Sequence, residues 1–275
     1  MSLIEILILA VLQGATEFLP VSSSGHLVVA NALMEAWGAS PVEDLLEVSV
    51  TLHLGTLASV LIYYRREILR LLSTDRRVIP LLVIGTIPAA VLGVWVKKIA
   101  PPAVEDAFLK SPLVAGLMFP VTAVLLLWAM RRSEGETAEV DRNRLDYQQL
   151  NVRQTLIIGV LQAFALLPGV SRSGSTIAAG LGVGLRRQSA ATFAFLLAIP
   201  AILGAGVLEG YEIYKKGSAG TPAVNLALGF VVSMIVGLAA LSLLIRWVER
   251  GRLALFAYYL IPLGIAVTAW QLSAR

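Results

Sequence analysis

The sequence predicts an all-α polytopic membrane protein: six transmembrane helices plus two re-entrant helix hairpins, arranged as an inverted-topology repeat. Three observations predict it. Hydrophobic residues make up 57% of the 275-residue chain and charged residues 15%, with a mean hydropathy of +0.79. A soluble domain carries about 25% charged residues, so the deficit points to lipid as the solvent. Six apolar runs reach the roughly 20 residues that a spanning helix needs. Two more apolar stretches are each broken by a Ser/Gly-rich turn, and the two turns resemble one another.

The first broken stretch runs from Ser2 to about Leu33 and is interrupted at Leu19-Pro20-Val21-Ser22-Ser23-Ser24-Gly25. Its opening run, Leu3 to Leu12, follows no basic residue, since the first Lys or Arg of the chain is Arg65. Glu5 lies within it and no A-x-A-like site follows, so it reads as mature protein rather than a cleaved signal. Spans follow at about 47–64, 78–96 and 113–130. A polar segment at about 131–151, including the acidic run from Glu134 to Asp146, reads as a cytoplasmic linker. The second broken stretch, Val152 to about Leu185, is interrupted at Pro168-Gly169-Val170-Ser171-Arg172-Ser173-Gly174. Spans follow it at about 189–208, 224–245 and 253–272. Pro88, Pro120, Pro200 and Pro262 lie inside spans, which membrane helices tolerate. Each half of a broken stretch is too short to cross comfortably. Two short helices joined by a polar turn read as a hairpin, and such a turn must be buried in protein or line a wet cavity.

With an offset of 149, Gln13 aligns with Gln162, Val21 with Val170, Ser22 with Ser171, Ser24 with Ser173 and Gly25 with Gly174. Each hairpin precedes three spans, and an odd number forces the two repeats into opposite orientation. The chain is therefore one membrane domain, 1–275, with repeats at about 1–130 and 152–275 and the polar turns meeting near the midplane. If the first hairpin enters from outside, the loops at 65–77, 131–153, 186–187 and 246–252 fall inside with fifteen Lys/Arg, against six outside. That split satisfies the positive-inside rule, and it places Met1 and Arg275 outside. The net charge of +4 is small and sits between apolar runs, so it is no nucleic-acid footprint. The chain has no cysteine, which excludes disulfides and thiolate metal sites.

Arg172 is the one basic residue left inside the membrane by this count. A cation there costs at least about 2.5–3.5 kcal/mol, so an anionic partner is expected. Glu17 is the acidic residue deepest in an apolar segment. Gln13 and Glu17 are i,i+4 and share a helix face. Ser22 and Ser23 precede His26 by four and three residues. Helices starting near Ser22 and Ser171 would aim unpartnered first-turn amides and dipole ends at one spot, which is an anion site. Gly25 and Gly174 allow close backbone approach, and the Arg172 fork matches phosphate. Simpler roles compete: a Glu–Arg pair that only holds two repeats together, serines that only cap helices, and a core histidine at His26. His53 lies in a span with no charged neighbour on its face except Glu47 or Glu5, so packing or a hydrogen bond is its expected role. Gly180-Leu181-Gly182-Val183-Gly184 is no dinucleotide fingerprint, lacking a preceding strand, and reads as close helix packing. Gly169–Ser173 is no nucleophile elbow.

At these residues the sequence resembles the undecaprenyl-diphosphatase family, also called bacitracin-resistance proteins. The first matching motif is Q-G-A-T-E-F-L-P-V-S-S-S-G-H, Gln13 to His26. The second is P-G-V-S-R-S-G-S-T, Pro168 to Thr176, and F-A-F-L-L-A-I-P, Phe193 to Pro200, also fits. The resemblance covers essentially the full length. It implies hydrolysis of undecaprenyl diphosphate to the monophosphate, recycling the carrier lipid of envelope synthesis. It implies a bacterial plasma (inner) membrane site opening outward, and dependence on a divalent cation, Mg2+ or Ca2+. By motif match Glu17, Ser23, His26 and Arg172 form the catalytic set. Ser22, Ser24, Gly25, Ser171, Ser173, Gly174, Ser175 and Thr176 form the expected phosphate-binding set. Many relatives carry Glu at the position of Gln13, so metal contact falls to Glu17, with Gln13 as a second candidate. Nucleophilic attack by Ser23, attack by His26 and attack by water all stay open.

The main rival is a transporter or flippase of a phosphorylated prenyl lipid, because broken helices and a midplane anion site also suit a carrier. Ser23 and His26 beside the anion site favour an enzyme. A structural scaffold would leave Arg172 and Glu17 without a reason. The sequence leaves the choice between monomer and homodimer open.

Overall fold

A computed structural model of the chain describes residues 2–36, 45–133, 140–141, 143–216 and 220–273. The expected positions of Met1 and Arg275, and most of the acidic linker run, lie outside the described residues. Among the described residues the fold is all helical, apart from one isolated bridge between Leu145 and Leu185.

The first hairpin is α1, Leu3–Phe18, and α2, Ser23–Ala36. The second is α7, Val152–Phe164, and α8, Arg172–Gly182. Between them lie α3, Leu45–Tyr63, the short α4, Arg65–Leu72, then α5, Val78–Lys98, and α6, Pro112–Ser133. After the second hairpin come α9, Arg187–Lys216, α10, Ala223–Glu249, and α11, Ala254–Ser273. The four hairpin helices have 16, 14, 13 and 11 residues. At 1.5 Å per residue the longest reaches about 24 Å, short of a hydrocarbon core of about 30 Å.

Five helices are long and apolar enough to cross a membrane: Val78–Lys98, Pro112–Arg131, Arg187–Lys215, Ala223–Glu249 and Ala254–Ser273. The sixth expected span, 47–64, is the apolar helix Glu47–Tyr63, which is shorter. The four intramembrane prolines lie inside helices α5, α6, α9 and α11 as expected.

Local chemistry sets the hairpin ends. Ser2 caps α1 and Glu5 completes a capping box, with Ser2 N donating to Glu5 Oε2 at 2.9 Å. This explains the acidic residue in an apolar run. Asn151 and Gln154 form the same box at the start of α7. The sequence likeness of the two stretches therefore extends to their first caps. α1 stops at Phe18 because Leu19, ahead of Pro20, is held extended at φ −60° and ψ 140°.

The packing crosses between halves. α1 and α3 both pack on α10, and α7 and α9 both pack on α5. α6 and α11 lie together, and α8 packs on α6, α7 and α9. Phe18, Phe119, Phe193, Phe195 and Leu241 are fully buried at the centre. The expected glycine contact also forms, since a Cβ on Gly180 would lie 3.1 Å from Ala190 Cβ. At one end of the bundle the loops interlock. Asp75 accepts from Gln148 Nε2 at 3.2 Å, and Arg186 pairs with Asp146. Arg187 N donates to Asp141 Oδ1 at 3.1 Å. Tyr147, pushed up to about 12 by burial and by Asp75, stays a neutral donor to that carboxylate.

Candidate active site

The two broken turns touch. Ser22 Oγ accepts from Gly169 N of the other turn at 3.0 Å, and Ser173 Oγ donates to Leu19 O at 3.4 Å. The approach is so close that a Cβ on Gly25 would lie 2.6 Å from Gly169 N. Gly169 has φ +92°, a conformation that glycine takes without strain. Ser22 holds φ +69° without that freedom. Its hydroxyl, which also accepts from Gly25 N at 3.3 Å, is part of what holds it there. The second turn is gripped from α6. Thr122 Oγ1 donates to Gly169 O at 2.8 Å and accepts from Ser171 N at 2.9 Å. Thr122 carries no motif signal, and it acts through the turn.

Glu17 is the hub. It is buried, at 8% exposure, and Arg172 Nη2 donates to its Oε1. Its Oε2 accepts from Gln13 Nε2 at 2.9 Å and from Ser23 Oγ at 2.9 Å. The expected pairing of the lone guanidinium with the deepest carboxylate is therefore formed. A buried carboxylate needs such partners, because unpaired it would carry the full desolvation cost. Arg172 Nη1 is buried with no hydrogen-bond partner among the described residues. A donor left free beside this hub suits an anion entering from the cleft.

The cleft itself has a volume of about 160 Å³. Glu17, Ser22, Ser23, Ser24, Ser171 and Arg172 line it, together with His53. The sequence predicts only packing or a hydrogen bond for His53. It does bond, to Ser49 O through Nδ1 at 2.8 Å, and this leaves Nε2 facing Glu17 Oε2 at 3.8 Å. A carbonyl only accepts, so the proton of a neutral ring sits on Nδ1 and the Nε2 lone pair faces the carboxylate. No motif spacing betrays this contact, which only the packing of α1 beside α3 creates. The one available signal was an ionisable residue inside an apolar run.

Other expected residues sit elsewhere. His26 donates from Nδ1 to Ser22 O at 2.8 Å, accepts at Nε2 from Tyr259 OH at 2.8 Å, and rests against Phe119. It does not line the cleft. Gly25 N and Gly174 N donate to the capping hydroxyls of Ser22 and Ser171, at 3.3 and 3.1 Å. These two amides are satisfied within their own turns, and the two glycines serve the close contact of the hairpins. Ser173 bonds to Ser171 at 3.1 Å, and Thr176 donates back to Arg172 O at 2.8 Å. Ser175 is fully buried.

For a divalent cation the residues present offer oxygen donors. Gln13 is 1% exposed, and its Oε1 has no hydrogen-bond partner among the described residues, next to the Glu17 carboxylate. Hard cations take carboxylate and amide oxygens, and a Mg2+ site commonly uses one or two protein groups plus phosphate oxygens. Among the described residues no cluster of three His, Cys, Asp or Glu side chains could hold a metal without such help. The donor set fits a cation shared with a phosphorylated ligand.

Comparison with known proteins agrees with the motifs. The family described as bacitracin resistance protein BacA matches residues 6–266. A protein of Rhodopirellula baltica named undecaprenyl-diphosphatase is 44% identical over 271 residues, 98% of each chain. Proteins of the same name from Methanosphaera stadtmanae and Corynebacterium efficiens are 33% and 36% identical. They cover 96% and 97% of this chain, and 96% and 90% of their own.

Proposed function

The chain belongs to the bacitracin resistance protein BacA family, and from that membership we infer that it is a multi-pass membrane phosphatase that cleaves undecaprenyl diphosphate to undecaprenyl phosphate and inorganic phosphate. The reaction recycles the carrier lipid of envelope synthesis, and bacitracin resistance follows from it. The observation that carries the reading is the hub at Glu17, where an arginine with a free Nη1 and a serine hydroxyl meet in one buried cleft.

In the proposed mechanism Arg172 holds the terminal phosphoryl group and offsets the charge that develops on its oxygens. Ser23 attacks phosphorus. Its Oγ–P bond forms as the bridging P–O bond breaks, the proton passes to Glu17 Oε2, and undecaprenyl phosphate leaves. Water then attacks the phosphoserine, the seryl oxygen recovers its proton from Glu17, and inorganic phosphate departs. Two contacts favour Ser23 over His26: Ser23 donates to Glu17 at 2.9 Å within the cleft, whereas the His26 Nε2 lone pair is taken by Tyr259. Gln13 Oε1 and Glu17 would hold the divalent cation, which would neutralise the diphosphate on binding.

The proposed topology is an inverted repeat of six spans and two re-entrant hairpins. Its support is the exchange of partners, α1 and α3 on α10 against α7 and α9 on α5. The joining of the basic loops at one end supports a cytoplasmic face there and a site opening outward.

Phosphate release from undecaprenyl diphosphate by purified protein in detergent, with and without a chelator, tests the reading. Turnover without a second compartment separates hydrolysis from transport, and loss on chelation supports the cation. Quenched single turnovers with labelled substrate are expected to leave label on Ser23. A label on histidine, or none in a fully active protein, removes the serine from the attacking role.

A further inference from the structure

Among the described residues, two larger spaces of different character border the phosphate cleft. One, of about 550 Å³, shares Ser24 and His53 with the cleft and has Asn31, Ser49 and Lys110 in its walls. The other, of about 240 Å³, shares Ala165 and Arg172 with the cleft and runs between α5, α7 and α9. Beyond Thr86, Gln162 and Arg172 its walls are apolar and mostly small, with Ala90, Gly93, Ala201 and Gly204 among them.

Small residues on facing membrane helices ordinarily bring backbones together. Here they do not. A Cβ on Gly93 or on Gly204 would meet nothing within 4 Å. Nearer the other end of α5, by contrast, a Cβ on Gly85 would lie 3.0 Å from Leu197 Cδ1 and 3.2 Å from Thr155 Cγ2. The open glycines therefore keep a space rather than close one. A second observation marks what enters it. Gln162 is 3% exposed and lines the groove, and its Oε1 has no partner among the described residues, like Nη1 of Arg172. A polar atom left unmatched at the mouth of an apolar slot suits a ligand with a polar head and an apolar tail.

We propose that the groove between α5, α7 and α9 is the binding site for the part of a polyprenyl chain next to its diphosphate. This rests on the phosphatase reading above. The head lies in the cleft, bound through Arg172 Nη1, and the methyl-branched tail runs out past Gln162 between Gly93 and Gly204 into the bilayer. The other space also has apolar walls, at Leu9, Leu27, Val28 and Pro112, but a tail there would press Asn31, Ser49, His53 and Lys110 against hydrocarbon, which the groove avoids.

The test compares Gly93→Phe, Gly204→Phe and, outside the groove on α9, Gly210→Phe, whose added Cβ also meets nothing within 4 Å. Each purified variant is assayed for phosphate release from undecaprenyl diphosphate, and for inhibition by inorganic diphosphate as a probe of the head site alone. KM for the lipid is expected to rise roughly tenfold or more in both groove variants. Inhibition by inorganic diphosphate, and all constants of Gly210→Phe, are expected to stay at wild-type values. An unchanged KM in both groove variants overturns the tail site. A wild-type protein that releases no phosphate overturns the hydrolase reading instead. If the groove variants fail to fold, a photoreactive polyprenyl diphosphate crosslinked to wild-type protein decides. Label on peptides of α5 and α9 supports the groove, and label confined to α1, α2 and α3 overturns it.

Discussion

Two trios of helices flank the site, and they are packed in opposite ways. In α1, α3 and α10 the glycines seal the contacts. A Cβ on Gly14 would lie 2.8 Å from Ser233 O, one on Gly237 would lie 2.7 Å from Ser59 Oγ, and one on Gly55 would collide with Ser233 Oγ. Hydrogen bonds cross the same seam, from Ser233 Oγ to Leu52 O at 3.0 Å and from Ser59 Oγ to Met234 O at 2.8 Å. In α7, α9 and α5, their counterparts under the proposed repeat, the seal is local. A Cβ on Gly159 would collide with Gly85 O, yet Gly93 and Gly204 look onto open space. The same residue type closes one trio and opens the other. Under the proposed repeat, one architecture leaves the two sides free to differ where the proposed lipid tail passes.

The Glu17–Arg172 pair joins the two sides, since α1 belongs to the sealed trio and Arg172 lines the open groove. Breaking it should give the largest effect. Arg172→Ala is expected to reduce turnover by about 10²–10³-fold or more, the scale of losing a donor to a developing oxyanion. It also leaves Glu17 buried without its guanidinium partner, at up to about 3–5 kcal/mol of stability, less whatever the remaining bonds from Gln13 and Ser23 retain. Glu17→Ala should be similar. Phosphate release and unfolding in detergent measure the two effects separately. The double variant should lose less stability than the two single losses added together, because no lone charge remains buried. Stability losses that simply add would mean that the two side chains act independently.

The comparison itself is sharpened by placing one side chain on each side. Gly14→Leu should destabilise the protein by about 1–3 kcal/mol or more through overpacking against α10. Gly204→Leu should leave folding nearly unchanged and act on KM for the lipid. Equal melting shifts in the two variants would erase the distinction between sealed and open trios.

Much of this was legible in the sequence. Length and apolarity located the helices, and the Ser/Gly turns located the two places where an apolar stretch breaks into a pair of short helices. Glu17 and Arg172 stood out as charges that lipid does not tolerate alone. What stayed hidden depends on packing between distant segments. His53 faces Glu17 only because α3 lies against α1, and no spacing along the chain links the two residues. His26 sits within the motif yet turns to Tyr259, 233 residues away along the chain. The two classes of glycine are identical letters, and only the neighbour across the seam tells a contact from a gap.

That last ambiguity leads to the smallest effect and the most discriminating one. Glycine inside a helix costs roughly 0.5–1 kcal/mol relative to alanine through backbone entropy, so Gly→Ala is stabilising wherever the methyl meets nothing. Gly93→Ala and Gly204→Ala should each raise the unfolding free energy in detergent by an amount within that range, with turnover little changed. Gly14→Ala and Gly237→Ala should lower it, because backbone oxygen or a serine hydroxyl already occupies the place of the methyl. The sign decides, so even a small shift is informative. If alanine at Gly204 destabilises, something in the folded protein already fills the space beside α9, and a lipid tail has no room there.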